Sequence, residues 1–562
     1  MNSQLLLYVL APLFLLLVVY VTGARRLLSR LQLNPSVRHL LGLIVAVEVA
    51  LLVLNTLVWH NTTGFFQYFL DLDEEWTFGV ILEALQLLMV GMAALLIAAQ
   101  GRLYRVTRVY MALLGVTFTL LGLDEFFSLH ERLVSDQNTW PLVYWIVGGV
   151  LALVSVQAFR RELHKYPQFV SLLVVAVAVI GAGAVLFERF SWDVLCVQTE
   201  LCKEYTVFEE GLELAGGTLA LMAFAALARD VLPARTGRRQ PRMILGLAAV
   251  WLAALLGYVW LWPALELRLL ATPANASYLD GDLSLVGYRV SSPTAAPGDR
   301  LDVTLYFRAN DFLAEDYSLS LHAMTHPEVA SVGQVDDLRI GAYPSTAWLP
   351  GVTVRKTLSL PLSANTHTPQ SLWLALRLWT GPWQESWENT VGLEVRNTDQ
   401  PLLTTDTLVL GSVPVLSPVV DAPPESPGYR FEGGIALAGH SLPDDAQPGG
   451  DVRLRFWWRT TEAIDAAWVQ YVHVVGPDGA LLAAYDSQPF GGAFPTADWP
   501  RGILVSDTVA IALPGGTPPG EYHVFTGLYD AASGARANAQ ALDAQPVSDN
   551  NIDLGVLAVV AE

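Results

Sequence analysis

The chain has 562 residues, 53% of them hydrophobic and only 15% charged, with a formal net charge of −20. This much apolar surface excludes intrinsic disorder, a charge content well under the usual ~25% argues against a wholly soluble globule, and the acidic balance excludes a surface built for nucleic-acid phosphates. Two cysteines exclude both a disulfide scaffold and a cysteine-based zinc framework.

Charge divides unevenly along the chain. Residues 1–271 hold 19 Lys and Arg against 20 Asp and Glu, whereas residues 272–562 hold 14 against 33. The break, near Thr272–Ser277, marks a domain boundary between a neutral, very apolar half and an acidic half rich in Pro and Gly.

In the first half, eight apolar stretches read as transmembrane helices: 4–22, 39–59, 77–99, 106–123, 141–159, 168–187, 207–228 and 243–263. A helix of ~20 residues at ~1.5 Å per residue covers a ~30 Å hydrocarbon core. Alternate connectors are basic. Arg25, Arg26, Arg30 and Arg38 fill one, Arg102, Arg105 and Arg108 the next, then Arg160, Arg161 and Lys165, then Arg229, Arg235, Arg238, Arg239 and Arg242. The intervening connectors hold only Arg132, Arg189 and Lys203. Basic loops stay in the cytoplasm, so the N-terminus and everything after residue 264 are expected outside, at the cell membrane. The first stretch lacks a basic start and is followed by its arginines, so it reads as an uncleaved helix rather than a signal peptide. Cys196 and Cys202 share the third outer connector, where an oxidising exterior favours a local disulfide over two free thiols.

The outer ends of these stretches collect carboxylates. Asp124 and Glu131 share a helix face with Ser128 between them, Glu209 and Glu213 share another, Glu83 lies within the third stretch, and Glu48 lies near the middle of the second. Ionisable groups at such depths are costly unless paired or hydrated, so they are expected to be functional. Two chemistries suit them. Asp124, His130, Glu131, Glu209 and Glu213 form a ligand set for a divalent metal. Alternatively Asp124, Glu131, Glu209, Glu213 and Glu83 work as an acid/base pair or group of crowded carboxyls. Solvated helix ends are the bland explanation of the same residues. Only His39, His60, His130 and His164 occur in this half, too few for the histidine-rich zinc site of ceramidase-type membrane hydrolases.

The second half alternates apolar and polar residues, as in Leu301–Phe307 and Val452–Phe456, which is the period of half-buried strands. It also repeats itself at an offset of about 151 residues. Tyr343-Pro344-Ser345-Thr346-Ala347-Trp348-Leu349-Pro350-Gly351 recurs as Phe494-Pro495-Thr496-Ala497-Asp498-Trp499-Pro500-Arg501-Gly502, and Pro297-Gly298-Asp299 as Pro448-Gly449-Gly450-Asp451. Two tandem antiparallel β-sandwich domains, 278–413 and 429–562, joined by a Pro-rich linker over 414–428, are expected. With Phe456-Trp457-Trp458 and Pro519-Gly520-Glu521-Tyr522, this pattern resembles the β-sandwich modules appended to bacterial membrane glycosyltransferases. The resemblance implies an envelope-facing accessory fold. Trp379, Trp383 and Trp387 recur every four residues and are candidates for stacking on glycans, with core packing as the alternative.

The sequence therefore predicts a multidomain membrane protein, an eight-helix transmembrane bundle followed by two β-sandwiches. Three functions fit it. The first is an outward-facing carboxylate/His site, metal-dependent or acting on a lipid-linked substrate. The second is a non-catalytic anchor whose sandwiches bind a glycan or envelope protein. The third is a membrane glycosyltransferase, with Asp71-Leu72-Asp73-Glu74-Glu75 supplying its acid. The expected partners are membrane lipids and one of those envelope components, not nucleic acid.

Overall fold

The computed structural model describes residues 9–58, 64–72, 74, 76–127, 140–183, 202–381, 389–417, 420–425, 427–464, 466–542 and 547–560; for 58, 140–146, 202–205 and 234–244 it describes the backbone alone. The chain divides into two compact units, Met1–Leu265 with Phe312–Glu315 and Tyr343–Val352, and Glu266–Asp311 with Asp316–Ala342 and Thr353–Glu562.

The first unit is helical. Its elements are α1 (Ala11–Arg30), α2 (Pro35–Val58), α3 (Phe65–Leu70), α4 (Phe78–Gln100), α5 (Arg105–Phe127), α6 (Trp140–Arg161), α7 (Pro167–Gly181), α8 (Cys202–Val231), α9 (Ala234–Leu256) and α10 (Trp262–Leu270). Proline opens α2 and α7 and lies in the first turn of α1, where its missing N–H costs no helical bond. Among the described residues six helices are long and apolar enough to cross a membrane: Ala11–Arg30, Pro35–Leu57, Phe78–Gln100, Arg105–Phe127, Thr206–Val231 and Leu245–Leu270; Pro167–Gly181 is apolar but shorter.

Several helix boundaries depart from expectation, among them these three. Helix α1 continues through Arg25, Arg26 and Arg30, good helix formers with long stems. Helix α5 runs on to Phe127, four residues past the expected end. The last span does not stop near residue 263 but passes through a π turn at Gly257–Leu261 into α10. Pro263, whose nitrogen has no hydrogen to donate to a helical bond, is the second residue of α10, and a widened turn just before it accommodates that loss.

Small residues bring the helices close. A Cβ placed on Gly91 of α4 would lie 2.4 Å from Thr119 Oγ1 and 2.9 Å from the Gly115 carbonyl of α5, and one on Gly122 would lie 2.9 Å from the Ala84 carbonyl. On α8, Gly216 sits equally tight against Ile180 and Ala176 of α7. Without a hydrophobic force between helices in lipid, such close backbone approach is a main source of association. Ala220, Met222, Ala223, Phe224 and Leu227 place α8 in the core, packed with Ala94 and Ile97 of α4 and Phe169 of α7.

Several connectors meet at one end of the bundle. Arg229 of α8 donates to the Leu31 carbonyl and, at 3.2 Å, to Gln168 Oε1. The Arg102 N–H donates to the Val231 carbonyl at 3.0 Å, and the Tyr104 N–H donates to Glu162 Oε2 at 2.9 Å. These are the arginine-rich connectors, so positive charge gathers at this end. Within the same unit Tyr68 of α3 stacks on Tyr343, ring centroids 5.6 Å apart.

The second unit is β-rich. Strands β1 (Thr272–Tyr278), β2 (Leu283–Val290), β3 (Arg300–Ala309) and β6 (Thr353–Pro361) form one antiparallel sheet in that order. A second runs β5 (Ser331–Asp337), β4 (Ser318–Thr325), β7 (Gln370–Thr380), β10 (Thr407–Val415), β9 (Leu402–Thr404), with β8 (Val391–Gly392) paired to β7. The remaining strands are β11 (Tyr429–Phe431), β12 (Ile435–Ser441), β13 (Asp445–Ala446), β14 (Asp451–Thr460), β15 (Trp468–Val475), β16 (Leu481–Ser487), β17 (Leu504–Ala512), β18 (Gly520–Asp530), β19 (Ala539–Ala541) and β20 (Ile552–Val559). They form sheets ordered β17-β14-β12-β11-β19 and β13-β20-β18-β15-β16. Phe456, Trp458, Phe494 and Trp499 lie at the heart of this last core.

The same hydrogen bond occurs at both Trp motifs. Trp348 Nε1 donates to the Tyr343 carbonyl and Trp499 Nε1 to the Phe494 carbonyl, each at 3.0 Å. Within the second unit, which begins at Glu266 midway along α10, buried Glu266 pairs with Arg289 of β2 and Arg355 of β6, both at 3.0 Å, which spares it the cost of an unpaired buried charge.

Candidate functional site

Glu83 stands five residues into α4, roughly 8 Å along it, and is only 5% exposed. Its side chain is hydrogen-bonded to that of Glu213 on α8, and Glu125 of α5 and Glu210 of α8 are the other carboxylates acting on it. Three helices thus bring four carboxyl groups together. The place is the end of the bundle opposite the arginine connectors, since α4 and α8 both run from here toward Gln100 and Val231. A hydrogen bond between two carboxyl groups needs a proton held by the pair, which makes the pair a proton donor and acceptor in one.

Local sequence explains why these residues meet. Gly122 marks the face of α5 that touches α4, and Glu125 lies one turn further on that face. Gly183, just past α7, lets α8 approach: a Cβ there would lie 2.9 Å from both the Glu209 carbonyl and Glu213 Cγ. Gly183 thus lies against the Glu209–Glu213 face of α8, and Glu210 and Glu213, three residues apart, are the two α8 carboxylates that act on Glu83.

Of the expected site residues, Glu83 and Glu213 come together. Asp124 and Glu209, half-buried, are not among the groups acting on Glu83; their neighbours Glu125 and Glu210 take those places. Glu131 and His130 lie outside the described residues, as do Cys196 and the side chain of Cys202. Among the described residues no group of three or more His, Cys, Asp and Glu has the arrangement of a metal site. Asp71, after α3, is buried, and Asp73 and Glu75 lie outside the described residues.

Trp379 is not a stacking platform. It is 1% exposed on β7, a strand flanked by β4 and β10, and its Nε1 donates to Ser320 Oγ at 3.0 Å. Trp383 and Trp387 lie outside the described residues.

A second polar cluster lies deeper, and only Glu48 of it stood out in the sequence. Tyr20 of α1 donates its hydroxyl to Glu48 of α2, Gln86 of α4 donates its amide to the same carboxylate, and Thr218 of α8 donates to Glu48 Oε1. Gln86 Nε2 also lies 3.0 Å from Thr218 Oγ1. Glu48, Gln86 and Thr218 are all 0% exposed.

A family model described as "Domain of unknown function (DUF8692)" matches residues 40–229. That stretch contains both polar clusters except Tyr20 and stops short of the β-rich half. No curated protein matches the chain. Among solved structures, red sea bream transglutaminase is similar at 10% identity over 50% of this chain and 31% of its own, with a TM-score of 0.15. The match thus spans about a third of that enzyme's length, and a similarity of this size carries no argument about fold or activity.

Proposed function

We propose that this chain is an envelope membrane protein whose helical half carries an acid–base site opening toward the outer leaflet, where it acts on a lipid-linked substrate. The Glu83–Glu213 hydrogen bond, with Glu125 and Glu210 beside it, carries this reading. One member of such a pair protonates a leaving group while the other takes a proton from the attacking one, as in paired-carboxyl hydrolases. Gathering of the arginine connectors at the opposite end supports an outward orientation for this one, because positive loops stay inside. The N-terminus and the β-rich half are then extracytoplasmic. In a metal-dependent form of the same site, His130 and Glu131 join Asp124, Glu209 and Glu213 as ligands.

The β-rich half is proposed to be two copies of one sandwich module. The matching Trp348 and Trp499 bonds and the common order of strands around β3 and β14 support this. An anchor that merely presents these modules is the second reading, favoured by the large apolar core of the second module.

The test compares the envelope lipids and lipid-linked glycans of cells making the wild type, Glu83→Gln or Glu213→Gln at equal membrane levels. A lipid species altered by the wild type and restored by either variant is the expected result. Identical lipids in all three would leave the anchor. Elemental analysis of the purified protein, with the double variant Asp124→Asn, Glu213→Gln as control, decides the metal-dependent form.

A further inference from the structure

We propose that Glu48, Gln86 and Thr218 form a binding site for one monovalent cation, a proton or a sodium ion, in the middle of the helical bundle. This site shares no residue with the Glu83–Glu213 pair and does not rest on its proposed chemistry.

Three observations carry the inference. First, Glu48 lies 13 residues from the start of α2 and 10 from its end, so roughly 15–20 Å of helix separates it from either side. It is 0% exposed, and its three hydrogen-bond partners, Tyr20, Gln86 and Thr218, are all neutral. A carboxylate in such surroundings needs one unit of positive charge to balance it.

Second, every one of these partners gives Glu48 a proton donor, which suits the carboxylate but leaves Gln86 Oε1 unsatisfied. That oxygen is buried without a hydrogen-bond partner among the described residues. It rests against Gly217 of α8, where an added Cβ would lie 2.6 Å away. A buried acceptor without a donor is costly; a half-turn of the amide keeps its shape and gives that oxygen a partner, while moving the amide N–H groups to the Gly217 side.

Third, that half-turn aims Oε1 at Glu48 Oε1 and Thr218 Oγ1, producing a cluster of oxygen atoms from three helices. Oxygen clusters of this kind are what hard cations take as ligands. A proton on Glu48 uses the same geometry, donated from the carboxyl to the turned Gln86 Oε1. Tyr20 keeps its bond to the other carboxylate oxygen in both cases. The chemistry is therefore the same for either ion, with Gln86 turning when the charge arrives.

The experiment uses the full chain in lipid nanodiscs and has two arms. In the first, sodium chloride replaces choline chloride at constant ionic strength while the thermal unfolding midpoint is followed. In the second, infrared spectra are recorded without sodium in H2O and D2O. Sodium as the ion predicts a saturable rise in the midpoint that is lost in Glu48→Gln and needs about tenfold or more sodium in Gln86→Leu. A proton as the ion predicts a protonated-carboxyl band that is absent from Glu48→Gln, displaced in Gln86→Leu and indifferent to sodium. Either pattern supports the site. If Glu48→Gln fails to fold, Gln86→Leu and Thr218→Val carry the same comparisons. Wild type and variants that are alike in both arms overturn the proposal.

Discussion

Glu83 and Glu213 are hydrogen-bonded to one another from α4 and α8, two parallel helices that meet at the acidic end of the bundle. The next step along the same two helices is the approach of Gln86 to Gly217. Polar groups therefore line one seam between α4 and α8, and the close fit of glycines around it sets which side chains face inward.

That fit gives the first prediction. Gly183→Leu places a side chain where a Cβ already falls 2.9 Å from Glu213 Cγ. It is expected to abolish the lipid change made by the wild type, although no carboxyl group is altered. Membrane levels within about twofold of wild type check that the loss is local. Full activity would mean that Glu213 does not need its present position.

The α4–α5 contact predicts a general effect instead. Gly91→Leu must displace Thr119 or the Gly115 backbone, and overpacking of this kind costs about 1–3 kcal/mol. The thermal midpoint of the full chain in detergent should fall by several degrees. Gly246→Leu, where no atom lies within 4 Å of a Cβ, should leave it unchanged.

Orientation is checked by labelling. With Cys196 and Cys202 replaced by Ser, Ala532→Cys in the β-rich half should react with a membrane-impermeant thiol reagent on intact spheroplasts. Arg26→Cys, exposed at the end of α1, should react only after permeabilisation. The opposite pattern would invert the protein and place the carboxyl pair in the cytoplasm.

A pH dependence follows from Asp507 on β17. It is 6% exposed, and burial pushes its carboxyl above the usual aspartate range even though the Phe490 N–H donates to it at 2.7 Å. The folded chain therefore keeps this proton to a higher pH than the unfolded chain does. Its contribution to stability is full below the ordinary aspartate pKa and is lost as pH rises through the raised value. Asp507→Asn should flatten that fall in the unfolding midpoint across the window. Parallel pH curves for wild type and variant would contradict the assignment.

Much of this was legible in the sequence because it depends on local pattern. Leu301–Phe307 and Val452–Phe456 alternate as strands and lie within β3 and β14. The apolar stretch around Glu83 is a membrane-length helix starting at Phe78. What depends on packing between elements was not legible. Helix periodicity relates residues within one helix and points to Asp124 with Glu131, but it does not single out Glu125, because the face that meets α4 is set by Gly122. Tyr20, Gln86 and Thr218 are unremarkable polar residues until four helices assemble around Glu48. Whether Trp379 stacks on glycans or packs in the core stays open in the sequence because spacing says nothing about whether a strand is central; β7 has neighbours on both sides, and Trp379 is core. Trp457 is covered from elsewhere in the chain, its Nε1 donating to the Asp421 carbonyl at 3.0 Å.

The central claim, that Glu83 and Glu213 act as one proton-sharing unit, is tested most directly by a double-mutant cycle. Unfolding midpoints of the full chain in nanodiscs would be measured for the wild type, Glu83→Gln, Glu213→Gln and the double variant. A shared proton predicts that the double variant differs from the sum of the single changes by about 0.5–3 kcal/mol, the range for side chains in contact. Single effects that add within about 0.3–0.5 kcal/mol, as they do for independent sites, would contradict it.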